Sequence, residues 1–279
     1  MKLVKLLIGS VLALSAMMSF AEPYKIYVPV PAGTVLDVFV RKLVDSAQAA
    51  SDKTFIILNK PGGDFMLAYR AFLQDSSSGA LYLSTVTSHV VPYVIKNDLN
   101  VDPLKDTQPV VLGTNINYTL SVKADSKIKS VADITGKKNI GYIGNVAPLL
   151  LKSLKLDKDV QLIPYKSETE VIMALKAGDI DVAQISNGAQ IERNGLRIVT
   201  KLDQVMTGFV GVHAKTSMSA DEVVALNAVF SKALQTEDLK KFARDQFASD
   251  ASQVSPLQFG DRIKGSVATL QRISNAPVH

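Results

Sequence analysis

Val28-Pro29-Val30-Pro31-Ala32-Gly33-Thr34-Val35-Leu36-Asp37-Val38-Phe39-Val40-Arg41 is the stretch from which the rest of the chain can be read. An apolar strand pattern that begins at Tyr24 meets two prolines and a glycine, and a helical pattern starts at once. Leu36, Phe39, Val40, Leu43, Val44 and Ala47 recur at the helical period, which predicts a helix over 35–50. Proline stiffens φ and removes a donor, whereas glycine opens the left-handed region. A strand, turn and helix in this order leave N–H groups unpaired where the helix dipole is positive, a geometry suited to an anion. On spacing alone, a plain strand-to-helix bend accounts for the pattern equally.

Outward from this stretch, short apolar runs alternate with helical patterns. Strands are expected over 24–30, 55–58 and 81–86, and a helix over 64–73 with Asp64 as its N-cap. Asn59-Lys60-Pro61-Gly62-Gly63 is the turn before that helix. Thr87-Ser88-His89 reads as a loop after the third strand, with a short helix around 92–96. Apolar runs at 109–113 and 118–123 flank a connecting segment. Alternation resumes with a short helix at 130–134, a strand at 139–143, a helix at 146–156 and a strand at 161–165. The capping box Ser167/Glu170 opens a helix that Gly178 ends. Strands follow at 182–186, 196–202 and 209–214. The last third reads as helices, behind the Ser219/Glu222 box, at 237–247, and after Ser255-Pro256. This alternation predicts an α/β chain with largely parallel sheets. The terminal helices have no strand partners and are expected to pack on the first lobe's sheet.

Lys2 and Lys5, an apolar run over 6–18 and Ser19-Phe20-Ala21 read as a signal peptide cleaved after Ala21. The run is shorter than the ~20 residues of a membrane span. With no cysteine, the exported chain has neither disulfides nor a lipid anchor, which fits a bacterial periplasm. At 279 residues and 47% hydrophobic it can build its own core, as one large domain or as two lobes of about 100–150 residues. The net charge of +5 falls when Lys2 and Lys5 leave with the leader. This mild bias suits an anionic small molecule, and ordinary solubility charge explains it as well. Without an arginine-rich run or interleaved aromatics, nucleic acid is excluded as a partner.

Several motifs resemble the periplasmic solute receptors of tripartite tricarboxylate transporters, the Bug family. They are Val28-Pro29-Val30-Pro31-Ala32-Gly33 followed by Asp37 and Arg41, the turn Asn59-Lys60-Pro61-Gly62, and Asp102-Pro103-Leu104-Lys105-Asp106 with Pro109-Val110. Pro164-Tyr165-Lys166-Ser167 and Ala177-Gly178-Asp179-Ile180-Asp181-Val182 continue the series in order, and the strand over 209–212 with its following helix completes it. The resemblance implies a type II periplasmic binding fold, two α/β lobes joined by two crossing strands with a cleft between. The crossings fall near 115–117 and 209–211. Lobe one is then 22–114 plus 212–279, and lobe two 115–211. It also implies a small carboxylate held in the cleft by backbone amides and water.

Candidate ligand-binding residues follow from the strand exits. In lobe one they are Pro31, Ala32, Gly33, Thr34 and Asp37, then Gly63 and Asp64, then Thr87, Ser88 and His89. In lobe two they are Asn145 and Val146, Tyr165 and Lys166, and Ser186 and Asn187. The chain departs from the family pattern at Thr34, where a second glycine is usual, and at Val35 and Leu36, where small or polar residues are. Asp64 stands in a turn usually free of charge; it either caps its own helix or meets a ligand ammonium. Val146, Ala147 and Leu149 replace a serine-containing turn and a nearby histidine, leaving Asn145 as the polar group there. Ser167 is a cap first.

Other classes have less support. There is no cysteine nucleophile, no G-x-S-x-G elbow, no phosphate loop, and the three histidines are far apart in sequence. No clustered metal ligands stand out. The chain is therefore not expected to be an enzyme or to hold a cofactor or metal. The rival reading is a solute sensor of the same fold that signals to a membrane receptor. Expected partners are a small solute and membrane transporter subunits or a membrane sensor, with the receptor itself monomeric.

Overall fold

The computed structural model describes residues 22–63, 65–95, 102–156, 160–186, 188–251 and 254–275; the leader, Asp64 and Asn187 lie outside the described residues. β1 (Tyr24–Val28) turns into α1 (Val35–Ala49), and the expected stripe is the buried one, with Phe39, Val40, Leu43, Val44 and Ala47 inside. β2 (Phe55–Asn59), α2 (Met66–Gln74) and β3 (Ala80–Thr85) follow. The stretch read as a loop is instead a π-helical turn, Val86–Val90, running into α3 (Val91–Ile95). Its regularity comes from a reciprocal cap. Ser88 N–H donates to Thr85 Oγ1 at 3.1 Å, and Thr85 N–H donates to Ser88 Oγ at 3.0 Å.

β4 (Thr107–Ile116) and β5 (Thr119–Lys123) are joined by two residues that carry the chain into a second sheet. There β6 (Lys138–Tyr142), α4 (Val146–Ser153), β7 (Val160–Pro164), α5 (Glu168–Ala177), β8 (Val182–Ile185), α6 (Gly188–Arg193) and β9 (Leu196–Lys201) alternate, and β10 (Gly208–Lys215) returns. The first sheet has the order β2-β1-β3-β10-β4 and the second β7-β6-β8-β5-β9. β1 pairs parallel with β2 and β3, and β6 pairs parallel with β7 and β8. β10 lies antiparallel between β3 and β4, and β5 antiparallel between β8 and β9. The passages between sheets are 117–118 and 202–207. Phe209, placed by sequence at a crossing, pairs with Asn115 inside the first sheet. The reason is that β10 is a central strand, buried from Gly208 to Ala214, so its ladder continues to the sheet's end.

The terminal helices are α7 (Ala220–Ala233), α8 (Glu237–Phe247) and α9 (Pro256–Asn275). Ser219 accepts from Glu222 N–H at 3.2 Å, and Ser255 exchanges bonds with Gln258 at 3.2 and 2.9 Å. α7 and α8 pack on α1 and β4. α9 packs on β4 as well, but it also reaches α3 and α4, and Lys152 Nζ donates to Ser274 O at 2.9 Å. The last helix therefore ties both α/β units, beyond the first-sheet packing its sequence suggests. No helix among the described residues is long and apolar enough to cross a membrane.

Candidate functional site

In each sheet one parallel strand, β1 or β6, is followed in the chain by a neighbour on one side and then by a neighbour on the other. The orders β2-β1-β3 and β7-β6-β8 are the same device. Helices diverge at such a switch point and leave a crevice beyond the carboxyl ends of the strands. The turns at those ends are the candidates named above.

At the end of β1, Pro31, Ala32 and Gly33 are exposed and Thr34 half-buried. Gly33 sits at φ +83°, with nothing within 4 Å of where a Cβ would stand. Its N–H does not face outward as expected; it donates to Asp37 Oδ2 at 2.8 Å. Thr34 turns its hydroxyl back to Pro31 O at 2.9 Å and does not cap α1. The donors left at this end are the first-turn amides of α1, which no helix can pair internally. Asp37 is 1% exposed and also accepts from Arg41 Nε at 2.8 Å and Asn59 Nδ2 at 2.8 Å. Asn59 Nδ2 donates in addition to Val30 O at 3.0 Å, so one carboxylate locks the ends of β1 and β2 together. At the end of β2, Gly63 is exposed and Phe65, not a side-chain cap, precedes α2 at φ 73°. The Asp64 alternatives concern a residue outside those described.

Thr87 is the half-buried residue of the π-helical turn after β3. Ser88 is buried in its mutual cap, and His89 is buried against Tyr69, Tyr82 and His213 rather than standing in a loop. Across from it, Gly144 follows β6 at φ +69°, and Thr87 Cγ2 lies 3.0 Å from the position a Cβ there would take. The β3 exit of one sheet thus touches the β6 exit of the other. Tyr118, in the passage between sheets, is buried beside Gly208. Asn145 is half-buried and caps nothing with its side chain, while Val146 turns into the core at 1% exposure and offers only its backbone. Beside these turns lies a cavity of about 270 Å³ lined by Met66, Val91, Pro92 and Ile95 from one side and Asn145, Pro148 and Leu149 from the other.

At the remaining lobe-two turns, Tyr165 packs near Gly141 and Lys166 is exposed, with its N–H donating to Glu170 Oε2 at 3.0 Å. Ser167 accepts from Glu170 N–H at 3.3 Å. Ser186, at the end of β8, donates its N–H to Glu168 Oε1 at 2.5 Å and its hydroxyl to the same oxygen. Asn187 lies outside the described residues.

Residues 39–233 match the family model described as tripartite tricarboxylate transporter family receptor. The chain belongs to that family. A UPF0065 protein of Cupriavidus necator is 26% identical over 91% of this chain and 88% of its own. Among solved structures, MatC from Rhodopseudomonas palustris with bound malate superposes with a TM-score of 0.75 at 18% identity, over 90% of this chain and 98% of that one. A second R. palustris protein, with adipate, gives 0.74 at 15% identity over 92% and 97%. At these identities the structures speak for the two-lobed fold.

The receptor's electrostatics divide along the contact. On the α1 side, burial pushes the Asp37 carboxyl up, but the hydrogen bonds from Arg41, Gly33 and Asn59 outweigh it and hold it below the ordinary carboxylate range. On the α5 side, burial raises the Glu168 carboxyl, against the opposing bonds from Ser186. Burial likewise raises the Tyr118 hydroxyl, with Glu168 adding to it. Glu168 and Tyr118 escaped the sequence reading. Glu168 looks like an ordinary first-turn acid, and only the convergence of β7 and β8 exits shows that its carboxylate reaches Ser186.

Proposed function

We propose that this receptor captures a small organic carboxylate between its lobes in the periplasm and delivers it to the membrane subunits of a tripartite tricarboxylate transporter. The observation that carries the reading is the contact of Thr87 with Gly144, which sets two switch-point crevices face to face. A ligand there meets the Asn145 turn and an apolar wall, and on this reading its carboxylate reaches toward the positive end of α1. Charge-assisted bonds to such amides contribute about 1.5–3 kcal/mol each, and the helix end about 0.3–1 more. A few of them approach the ~8 kcal/mol of a micromolar complex. The malate and adipate held by two neighbours of this fold support a carboxylate as the class. On this reading residues 1–21 are the export leader, and the lobe bounds of 22–114 plus 212–279 and 115–211 expected from sequence move to 22–116 plus 208–279 and 117–207, because β4 and β10 pair to their ends in the first sheet. The two sheets hinge where the chain passes between them, at 117–118 and 202–207.

The test is thermal shift and calorimetry of the mature chain against a panel of carboxylic acids, amino acids and aromatic acids. A saturating rise with at least one acid is expected, by about 2.7 kcal/mol of added stability at a hundredfold excess over Kd. No response to any acid overturns the carboxylate reading.

A further inference from the structure

The donors at the end of β8 already hold a carboxyl group. Ser186 N–H and Ser186 Oγ both point at one oxygen of Glu168, the arrangement a strand exit offers to a ligand carboxylate. Glu168 stands first in α5, which packs across β6 and β8, and its head group lies on Ser186 at the exit of β8. Among the described residues the hydrogen-bond partner of the Glu168 carboxyl is Ser186, a neutral group, with no lysine or arginine in an ion pair to it. A half-buried carboxylate without a cation is costly and calls for one. The cavity beside the Gly144 turn is lined by Met66, Val91, Pro92, Ile95, Pro148 and Leu149 with Asn145 as its polar group, which suits an aliphatic body rather than a second charge.

We propose that Glu168 fills the second lobe's anion position, so that the receptor selects a carboxylate whose far end carries an ammonium rather than a second carboxylate. This rests on the carboxylate-receptor reading above. The acid group stays with the α1 end; the ammonium pairs with Glu168.

Three probes of equal chain length test it by calorimetry on the mature chain: caproate, adipate and ε-aminocaproate. The wild type is expected to bind ε-aminocaproate tightest and adipate weakest, at least about tenfold apart, since like charges in a closed site cost several-fold to many-fold in affinity. Glu168→Gln keeps the shape and an amide toward Ser186 but removes the charge. It is expected to strengthen adipate about tenfold, weaken ε-aminocaproate by a similar factor and leave caproate within about twofold. Adipate binding the wild type as tightly as ε-aminocaproate overturns the proposal, whether or not the variant folds. An unchanged ranking in a folded Glu168→Gln does the same. Binding of caproate with either of those results leaves the carboxylate reading standing; failure of all three probes and of the wider acid panel removes both.

Discussion

Asp37 and Gly33 form one unit: the buried carboxylate accepts from the amide whose residue needs a left-handed φ. The Asp37 carboxyl is depressed, so its contribution is present above the unfolded value near 3.9 and is lost as pH falls through the folded one. Asp37→Ala is expected to cost about 2 kcal/mol in denaturant unfolding and to weaken acid binding. Arg41 is exposed enough to hydrate when its partner goes, which keeps the cost moderate. Stability and affinity both unchanged would separate Asp37 from the turn. At Gly33 the surrounding space is open, so substitution is resisted by backbone conformation rather than by packing. Gly33→Val is expected to destabilise by about 1–2 kcal/mol and Gly33→Asn by clearly less, because asparagine tolerates that region. Equal losses would contradict this. The Asp and Arg four apart are plain in the sequence, but that the carboxylate turns inward to hold the loop is not.

Between the elements, the π-helical turn and β10 bury two imidazoles against each other. His89 and His213 have ring centroids 4.4 Å apart. Thr107 donates its hydroxyl to Pro103 O at 2.8 Å and so accepts from His89 Nε2 at 3.3 Å; Ser84 Oγ lies 2.7 Å from His213 Nδ1. His89 Nδ1, His213 Nε2 and the Tyr69 hydroxyl beside them have no hydrogen-bond partner among the described residues. Burial drives His89 down to about 3, and burial with His89 nearby drives His213 well below its usual value. Both are neutral in the folded chain and titrate near 6.5 when unfolded. Their contribution is therefore present above that pH and is lost as pH falls below it, by up to about 1.4 kcal/mol per unit for each ring. Unfolding free energy measured from neutral pH to pH 5 should show this limb, and His89→Phe should flatten it; an identical slope in the variant would exclude the pair as its source. The sequence showed two lone histidines far apart. Their meeting depends on β10 returning between β3 and β4.

For the molecule as a whole, the proposed function depends on two crevices meeting. Gly144→Val adds a branched side chain in the left-handed region and against Thr87, and is expected to hold the lobes apart. Acid affinity should fall more than about tenfold, and the radius of gyration should not contract on adding ligand, while the wild type does contract. Wild-type affinity in the variant would remove that contact from the closed state. α9 spans both units from β4 to α4, so closure must bend or slide this helix. The alternation of strands and helices and the capping residues determined the α/β class and which turns end strands, because these are local or periodic properties of the chain, while the ordered motifs from Val28-Pro29-Val30-Pro31-Ala32-Gly33 onward carried the resemblance to the receptor family. What only the tertiary structure decided is which polar groups at those turns are already occupied: Gly33 by Asp37, Ser88 by Thr85, Ser186 by Glu168. Hydrogen-bond partners at strand exits come from neighbouring strands or from helices one turn away, and their pairing is set by sheet order, which no single stretch of residues encodes.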